Sequence, residues 1–138
     1  MDISGKRILI VEDEFLVALS LQDSLMSLGC VVVGPVSSLR SAIHAAECEA
    51  IDAAILDVNL RGDLVFPAAD VLAARGVPMI FCSGHLGDSQ FPPRHSDHLR
   101  VPKPYTGALM TTALRDLLAG QPDGEPNARP GPNPTLSI

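Results

Sequence analysis

Residues 7–14 read Arg7-Ile8-Leu9-Ile10-Val11-Glu12-Asp13-Glu14. Four consecutive apolar residues, three of them β-branched, form a run too short for a helix and without alternation. That pattern fits a strand buried on both faces, and three carboxylates follow at its carboxyl end. Outward from it, apolar runs alternate with helix-like segments. Residues 15–28 place Ala18, Leu21, Leu25 and Leu28 at helical spacing and stop at Gly29. Cys30-Val31-Val32-Val33 reads as a second strand, 38–48 as a helix with Ser38 at its cap position, and Ala53-Ala54-Ile55-Leu56 as a third strand. A helix over 67–74 starts at Pro67 and ends before Gly76. Val77-Pro78-Met79-Ile80-Phe81-Cys82 is a fourth strand, Leu99-Arg100-Val101 a short fifth, and 106–119 a last helix. This alternation implies right-handed crossovers, and so an α/β fold whose five-stranded parallel sheet has helices on both faces. Residues 84–98 break the pattern: Gly84, Gly87, Pro92 and Pro93 predict mostly loop where a fourth helix is due.

The chain has 138 residues, the length of one domain. With 46% apolar and 19% charged residues and a mean hydropathy of +0.24, it is neither wholly disordered nor a fibrous repeat. A formal net charge of −6 and a pI near 5.0 remove any global attraction for nucleic acid or an anionic membrane, and neither is expected as a partner. No apolar run approaches the ~20 residues that span a bilayer. Lys6-Arg7 before the first apolar run imitates a signal peptide, but Glu12-Asp13-Glu14 ends the run too early, so a cytoplasmic location is expected. Cys30, Cys48 and Cys82 lie far apart in apolar contexts and read as reduced, buried thiols rather than as a zinc or redox site. From Gly120 onward the chain is rich in Pro and Gly with few large apolar residues. The expected organisation is a folded domain over 1–119 and a disordered tail over 120–138.

Ligands of an open parallel sheet bind beyond the carboxyl ends of its strands. There the first strand delivers Glu12, Asp13 and Glu14, the third Asp57 and then Asn59, the fourth Ser83 and Gly84, and the fifth Lys103 between Pro102 and Pro104. Converging carboxylates repel one another, and a hard divalent cation with oxygen ligands, Mg²⁺ or Mn²⁺, removes the conflict. A carboxylate beside such a cation can attack a phosphoryl group, with an ammonium and a hydroxyl sharing the charge on its oxygens. Asp57, Lys103 and Ser83 supply that set. Taken singly each residue has a structural reading, as a helix cap, a turn residue or a solvated end. Their joint occurrence at four strand ends in this chain order carries the inference.

The segments Ile8-Leu9-Ile10-Val11-Glu12-Asp13-Glu14, Leu56-Asp57-Val58-Asn59-Leu60, Phe81-Cys82-Ser83-Gly84 and Lys103-Pro104-Tyr105 together resemble the receiver domain of two-component response regulators, over residues 6 to about 118. The resemblance implies a flavodoxin-like (β/α)5 fold, here with a shortened or irregular fourth helix. It also implies that a histidine kinase or phosphotransfer protein passes a phosphoryl group to Asp57. Asp13 and Asp57 would bind Mg²⁺ directly together with the Asn59 backbone carbonyl, Glu12 would bind it through water, Ser83 would fill the switch-hydroxyl position and Lys103 the lysine position. The chain departs from the usual pattern at Arg100, which stands three before the lysine where an aromatic residue is customary. Pro78-Met79-Ile80-Phe81-Cys82-Ser83-Gly84-His85 is similar to a subgroup with a Phe-Ala-Thr-Gly motif. That likeness puts the mobile element at 84–98, with His85 and Asn59 beside the path of a hydrolytic water.

The expected activity is that of a stand-alone receiver, which signals through contact with a downstream protein or drains phosphoryl groups from a kinase. A phosphorylation-independent interaction module of the same fold stays open. A haloacid dehalogenase-type phosphatase would need Asp-x-Asp after the first strand, where this chain has Asp13-Glu14-Phe15. A nucleotide- or flavin-binding protein would need a Gly/Ser/Thr-rich phosphate loop there instead of three acids. His44 reads as a surface residue of the second helix. Arg94, His95, His98 and Arg100 read as a slightly basic, solvated loop rather than a metal site.

Overall fold

Alternation along the strands decides the layers. Ile8 and Ile10 face one side of the sheet, Leu9 and Val11 the other, as the two-residue period of a strand requires. In the computed structural model, residues 2–84 and 91–120 are described. The chain runs β1 (Arg7–Val11), α1 (Phe15–Ser27), β2 (Val31–Val36), α2 (Leu39–Cys48) and β3 (Ala53–Asp57). A hairpin of β4 (Asn59–Leu60) and β5 (Asp63–Leu64) follows, then α3 (Phe66–Ala74), β6 (Met79–Ser83), one 3₁₀ turn at Pro93–His95, β7 (Leu99–Pro102) and α4 (Gly107–Ala119).

The main sheet has the order β2-β1-β3-β6-β7, and every pairing in it is parallel. On one face α2 and α3 bring Ala42, Ala45, Ala46, Ala68, Ala69 and Leu72 against Leu9, Leu56, Met79 and Phe81. On the other, α1 and α4 bring Leu21, Leu25, Met110, Leu114 and Leu118 against Ile8, Ile55, Ile80 and Cys82. The α/β fold expected from the sequence is the one observed, with four helices around five parallel strands among the described residues. Ser38 caps α2 as expected: its hydroxyl accepts from Ser41 N–H at 3.1 Å, inside a reciprocal capping box.

Several details depart from the sequence reading. β2 continues past Val33 to Val36, because Gly34, at φ +94°, lets the strand bulge around Ile10 and resume. β6 starts at Met79, after Pro78, and Cys30 lies before β2. Cys48 is exposed rather than buried, since α2 turns its Ala42, Ala45 and Ala46 stripe inward and Cys48 falls outside it. Cys30 and Cys82 are buried as expected, and His44 is exposed.

The stretch expected to be a solvated basic loop is, over its described part, a packed segment. His95 is 1% exposed, stacked on Phe66 at 5.8 Å and edge-on to Phe81 at 5.6 Å, while Phe91 packs against both phenylalanines. Asp70 on α3 holds the segment from outside. It accepts from Arg94 Nε at 2.7 Å and Nη2 at 3.1 Å, and lies 2.8 Å from His95 Nε2. Arg100 stacks its guanidinium 3.8 Å over the Phe91 ring. Packing against two aromatic rings outweighs the lost solvation of the imidazole once Asp70 stands within hydrogen-bond reach of its Nε2. Residues 85–90, His85 included, lie outside the described residues, as does the expected tail beyond Gly120.

Two stability predictions follow from these contacts. A β-carbon on Gly34 would stand 2.8 Å from Val36 N and 3.1 Å from Ile10 O, both backbone atoms. Gly34→Ala should therefore cost about 2 kcal/mol, read as a lower urea midpoint at unchanged slope. Asp70→Ala strips the acceptor from a buried imidazole and should cost about 1–3 kcal/mol. The hydrogen bond from Arg94 holds the Asp70 carboxyl below the usual carboxylate range; burial opposes that and His95 adds to it. Stability from a depressed carboxyl is present at neutral pH and lost as pH falls through its folded value, so the gap between wild type and Asp70→Ala should narrow in acid.

Candidate functional site

β1 lies between β2 and β3, so the chain leaves β1 in one direction and returns on its other side. A crevice opens at the carboxyl ends where the order reverses. Glu12 and Asp57 stand on its two sides. Glu12 N–H donates to Val36 O at 2.9 Å, so the extension of β2 beyond the Gly34 bulge fixes the first acid. The Glu12 side chain is 3% exposed and Asp57 is also buried. Glu12, Asp13 and Asp57 each bring a carboxylate oxygen within 4.8 Å of the others. Across the crevice, Lys103 N–H donates to Ser83 O at 2.9 Å and ties the end of β7 to the end of β6. Lys103 Nζ lies 3.1 Å from Glu12 Oε1, 3.3 Å from Glu14 Oε1 and 3.2 Å from Asp57 Oδ2.

Burial first, and then the negative charge of Glu12, push the Asp57 carboxyl up to about 7, with Lys103 only partly offsetting them. Burial works against the Lys103 ammonium too, but its bond to Glu12 and the charges of Asp57 and Glu12 outweigh that and hold it above the usual lysine range. One ammonium thus serves a pocket that gathers more negative charge than it neutralises. Cys82, behind the site, is pushed up to about 12, first by burial and then by Glu12, and burial likewise raises the Tyr105 phenol. All the oxygens offered by Glu12, Asp13 and Asp57 are hard donors, so the chemistry of the set fits a hard divalent cation.

Beyond Asp57 the chain makes the β4–β5 hairpin, which the sequence reading missed. Asn59 N–H approaches Asp57 Oδ1 at 3.4 Å, and Asn59 Oδ1 accepts from Gly62 N–H at 2.7 Å, closing the turn. The turn carries Arg61, whose Nη2 donates to Asp13 O at 3.5 Å and whose Nε lies 3.9 Å from Asp13 Oδ2. A cleft of about 310 Å³ opens alongside, lined by Glu12, Asp13, Phe15, Leu19, Pro35 and Arg61. Phe15 on its rim and the next residue, Leu16, are three-quarters exposed.

The structure therefore brings together Glu12, Asp13, Asp57 and Lys103, with Ser83 and Asn59 on the segments immediately flanking them. Glu14 and Arg61 join them: Glu14 as a third carboxylate on Lys103, Arg61 as a cation on Asp13. A basic residue four positions after Asp57 was the available signal for Arg61. Arg100 belongs to the Phe91 stack described above.

No protein-family model and no curated protein matches the chain. Among solved structures, SdrG from Sphingomonas melonis Fr1 is 40% identical, covering 86% of this chain and 99% of its own, with a TM-score of 0.70. A response regulator receiver protein from Sinorhizobium medicae WSM419 is 27% identical over 86% of this chain and 98% of its own, at a TM-score of 0.73. The receiver domain of a sensor histidine kinase from Pseudomonas aeruginosa PAO1, solved with magnesium in its active site cleft, shares the fold at 24% identity and a TM-score of 0.73, covering 85% of this chain and 100% of its own. With the order β2-β1-β3-β6-β7 and acids at the β1/β3 crevice, the chain belongs to the family of response regulator receiver domains.

Proposed function

We propose that this receiver takes a phosphoryl group onto Asp57 from a histidine kinase or phosphotransfer protein in a Mg²⁺-dependent reaction, and signals by contact with a downstream protein or acts as a phosphate sink. The observation that carries the reading is the setting of Asp57: a buried carboxylate at the end of a central strand, among two further acids and one ammonium. Glu12, Asp13 and Asp57, with the Asn59 carbonyl, are the residues that would hold the metal, which when bound places positive charge against the phosphoryl oxygens.

An Asp57 carboxylate oxygen forms the new O–P bond as the P–N bond to the donor imidazole breaks. The bonding pair stays on that nitrogen, which takes a proton from solvent. Lys103, already 3.2 Å from Asp57 Oδ2, moves its charge from carboxylate to phosphoryl oxygen, and the Ser83 hydroxyl donates to another. Hydrolysis reverses the state: water attacks phosphorus, the O–P bond breaks, and the Asp57 carboxylate and inorganic phosphate are released. The protein is a phosphoacceptor that catalyses its own transfer and dephosphorylation rather than an enzyme acting on other molecules. The exposed Phe15 and Leu16 beside the site are the apolar surface that a donor protein would cover. No helix among the described residues is long and apolar enough to cross a membrane, in keeping with a cytoplasmic partner of such a kinase.

The test is intact mass after incubation with acetyl phosphate and Mg²⁺. Wild type should gain one phosphate adduct, abolished by EDTA or by Asp57→Asn. An adduct retained in Asp57→Asn moves the acceptor elsewhere. No adduct in wild type, from acetyl phosphate or from kinase domains, favours the phosphorylation-independent module. Lys103→Met should keep Mg²⁺ binding but lose most of the rate of adduct formation, by about tenfold or more. In metal-free buffer Asp57→Asn should be more stable than wild type, because it removes a buried charge facing Glu12. Folding raises the Asp57 pKa, so this gain should grow as pH rises from the usual aspartate range to about 7 and stay level above it.

A further inference from the structure

Arg61 occupies a position that its backbone does not favour. It is the one non-glycine residue with positive φ among the described residues, at +55°, and Gly62 follows at +99°. Two successive left-handed residues make the tight turn of the β4–β5 hairpin, a place suited to Asn-Gly or Gly-Gly. Turn chemistry alone does not select an arginine there. The side chain is directed at the site, with its guanidinium on Asp13 through Nη2 at 3.5 Å to the carbonyl and Nε at 3.9 Å to the carboxylate. Lys103 bonds to Glu12, Glu14 and Asp57, so the two cations divide four acids between them.

The Arg61–Asp13 contact is of the exchangeable kind. The Arg61 side chain is 76% exposed, against 14% for Asp13, and both separations are long, which makes such a pair weak. A divalent cation that takes Asp13 displaces the guanidinium at little cost. The freed group is then a planar fork at the mouth of the crevice, matched to phosphoryl oxygens. It starts next to an acid whose oxygen lies within 4.8 Å of one on Asp57.

We propose that Arg61 is a positioning residue that holds Asp13 until a divalent cation takes that carboxylate, and then pairs with the oxygens of the phosphoryl group entering at Asp57. The inference rests on the phosphoacceptor reading and adds a second cation to it. It predicts opposite signs for two quantities, which a solvated turn arginine would leave unchanged.

The test compares Arg61→Asn, which suits a left-handed turn and removes the charge, with Arg61→Lys, which keeps the charge and loses the fork. Mg²⁺ affinity is measured by calorimetry without any phosphodonor, and the rate of adduct formation with acetyl phosphate at saturating Mg²⁺. Arg61→Asn should bind Mg²⁺ about two- to fivefold more tightly and form the adduct about fivefold more slowly. Arg61→Lys should restore the Mg²⁺ affinity of wild type but only part of the rate. No change in either quantity for Arg61→Asn, or weaker Mg²⁺ binding, overturns the inference. Wild type that binds Mg²⁺ but forms no adduct overturns the acceptor reading and the phosphoryl half of this inference with it. The Mg²⁺ arm then still decides whether Arg61 competes for Asp13.

Discussion

The ammonium of Lys103 is the interaction on which the carboxyl edge of this sheet depends. β7 is hydrogen-bonded only to β6 within the sheet, yet through Lys103 it reaches acids at the ends of β1 and β3. Without that cation the crevice would collect Glu12, Glu14 and Asp57 with nothing to oppose them, and burial would force protons onto the acids. The compensation is deliberately incomplete in its effect: Asp57 still titrates far above an ordinary aspartate. A surplus of negative charge, held at fixed geometry by three strands, has the chemistry that suits a hard divalent cation. In the proposed reading, metal binding and a less stable metal-free protein would be two sides of one arrangement.

The rest of the fold serves to hold those strand ends in register. Small residues on α2 and α3 let both helices lie close over one face, while larger ones on α1 and α4 fill the other. The bulge at Gly34 then lets β2 run on until Val36 accepts the N–H of Glu12. A backbone detail on an edge strand thus sets the position of an acid on its neighbour.

How much of this was legible in the sequence depended on the range of each interaction. β1, β3 and β6 are continuous apolar runs followed by polar residues, a signal contained within each segment, and the acids and the serine come with them. The extension of β2 was hidden because Gly34-Pro35 reads as a break, and only the partner strand shows that pairing resumes. The β4–β5 hairpin has two residues per strand, below the length at which alternation can be recognised. His95 misled for a different reason. Its acceptor is 25 positions earlier, and its stacking partners come from α3 and β6, so nothing local distinguishes it from a solvated histidine. Cys48 should have been readable as exposed, since the Ala42, Ala45 and Ala46 stripe already defines the inner face of α2.

Where a helix would ordinarily follow β6, the described residues show Phe91 and His95 packed onto Phe66 and Phe81, with Asp70 and Arg94 closing the outside. Phe81 lies two residues before Ser83 on the same strand. This clustering has a spectroscopic consequence. The protein has no tryptophan and so lacks the usual intrinsic fluorophore, but the His95 ring lies 5.8 Å from that of Phe66 and 5.6 Å from that of Phe81, within reach of their ring currents. Its ring-proton resonances should therefore be shifted relative to those of the exposed His44, and a tilt of the Phe81 ring should displace them. A single imidazole resonance can therefore report, without a label, on the geometry at the end of the strand that carries Ser83.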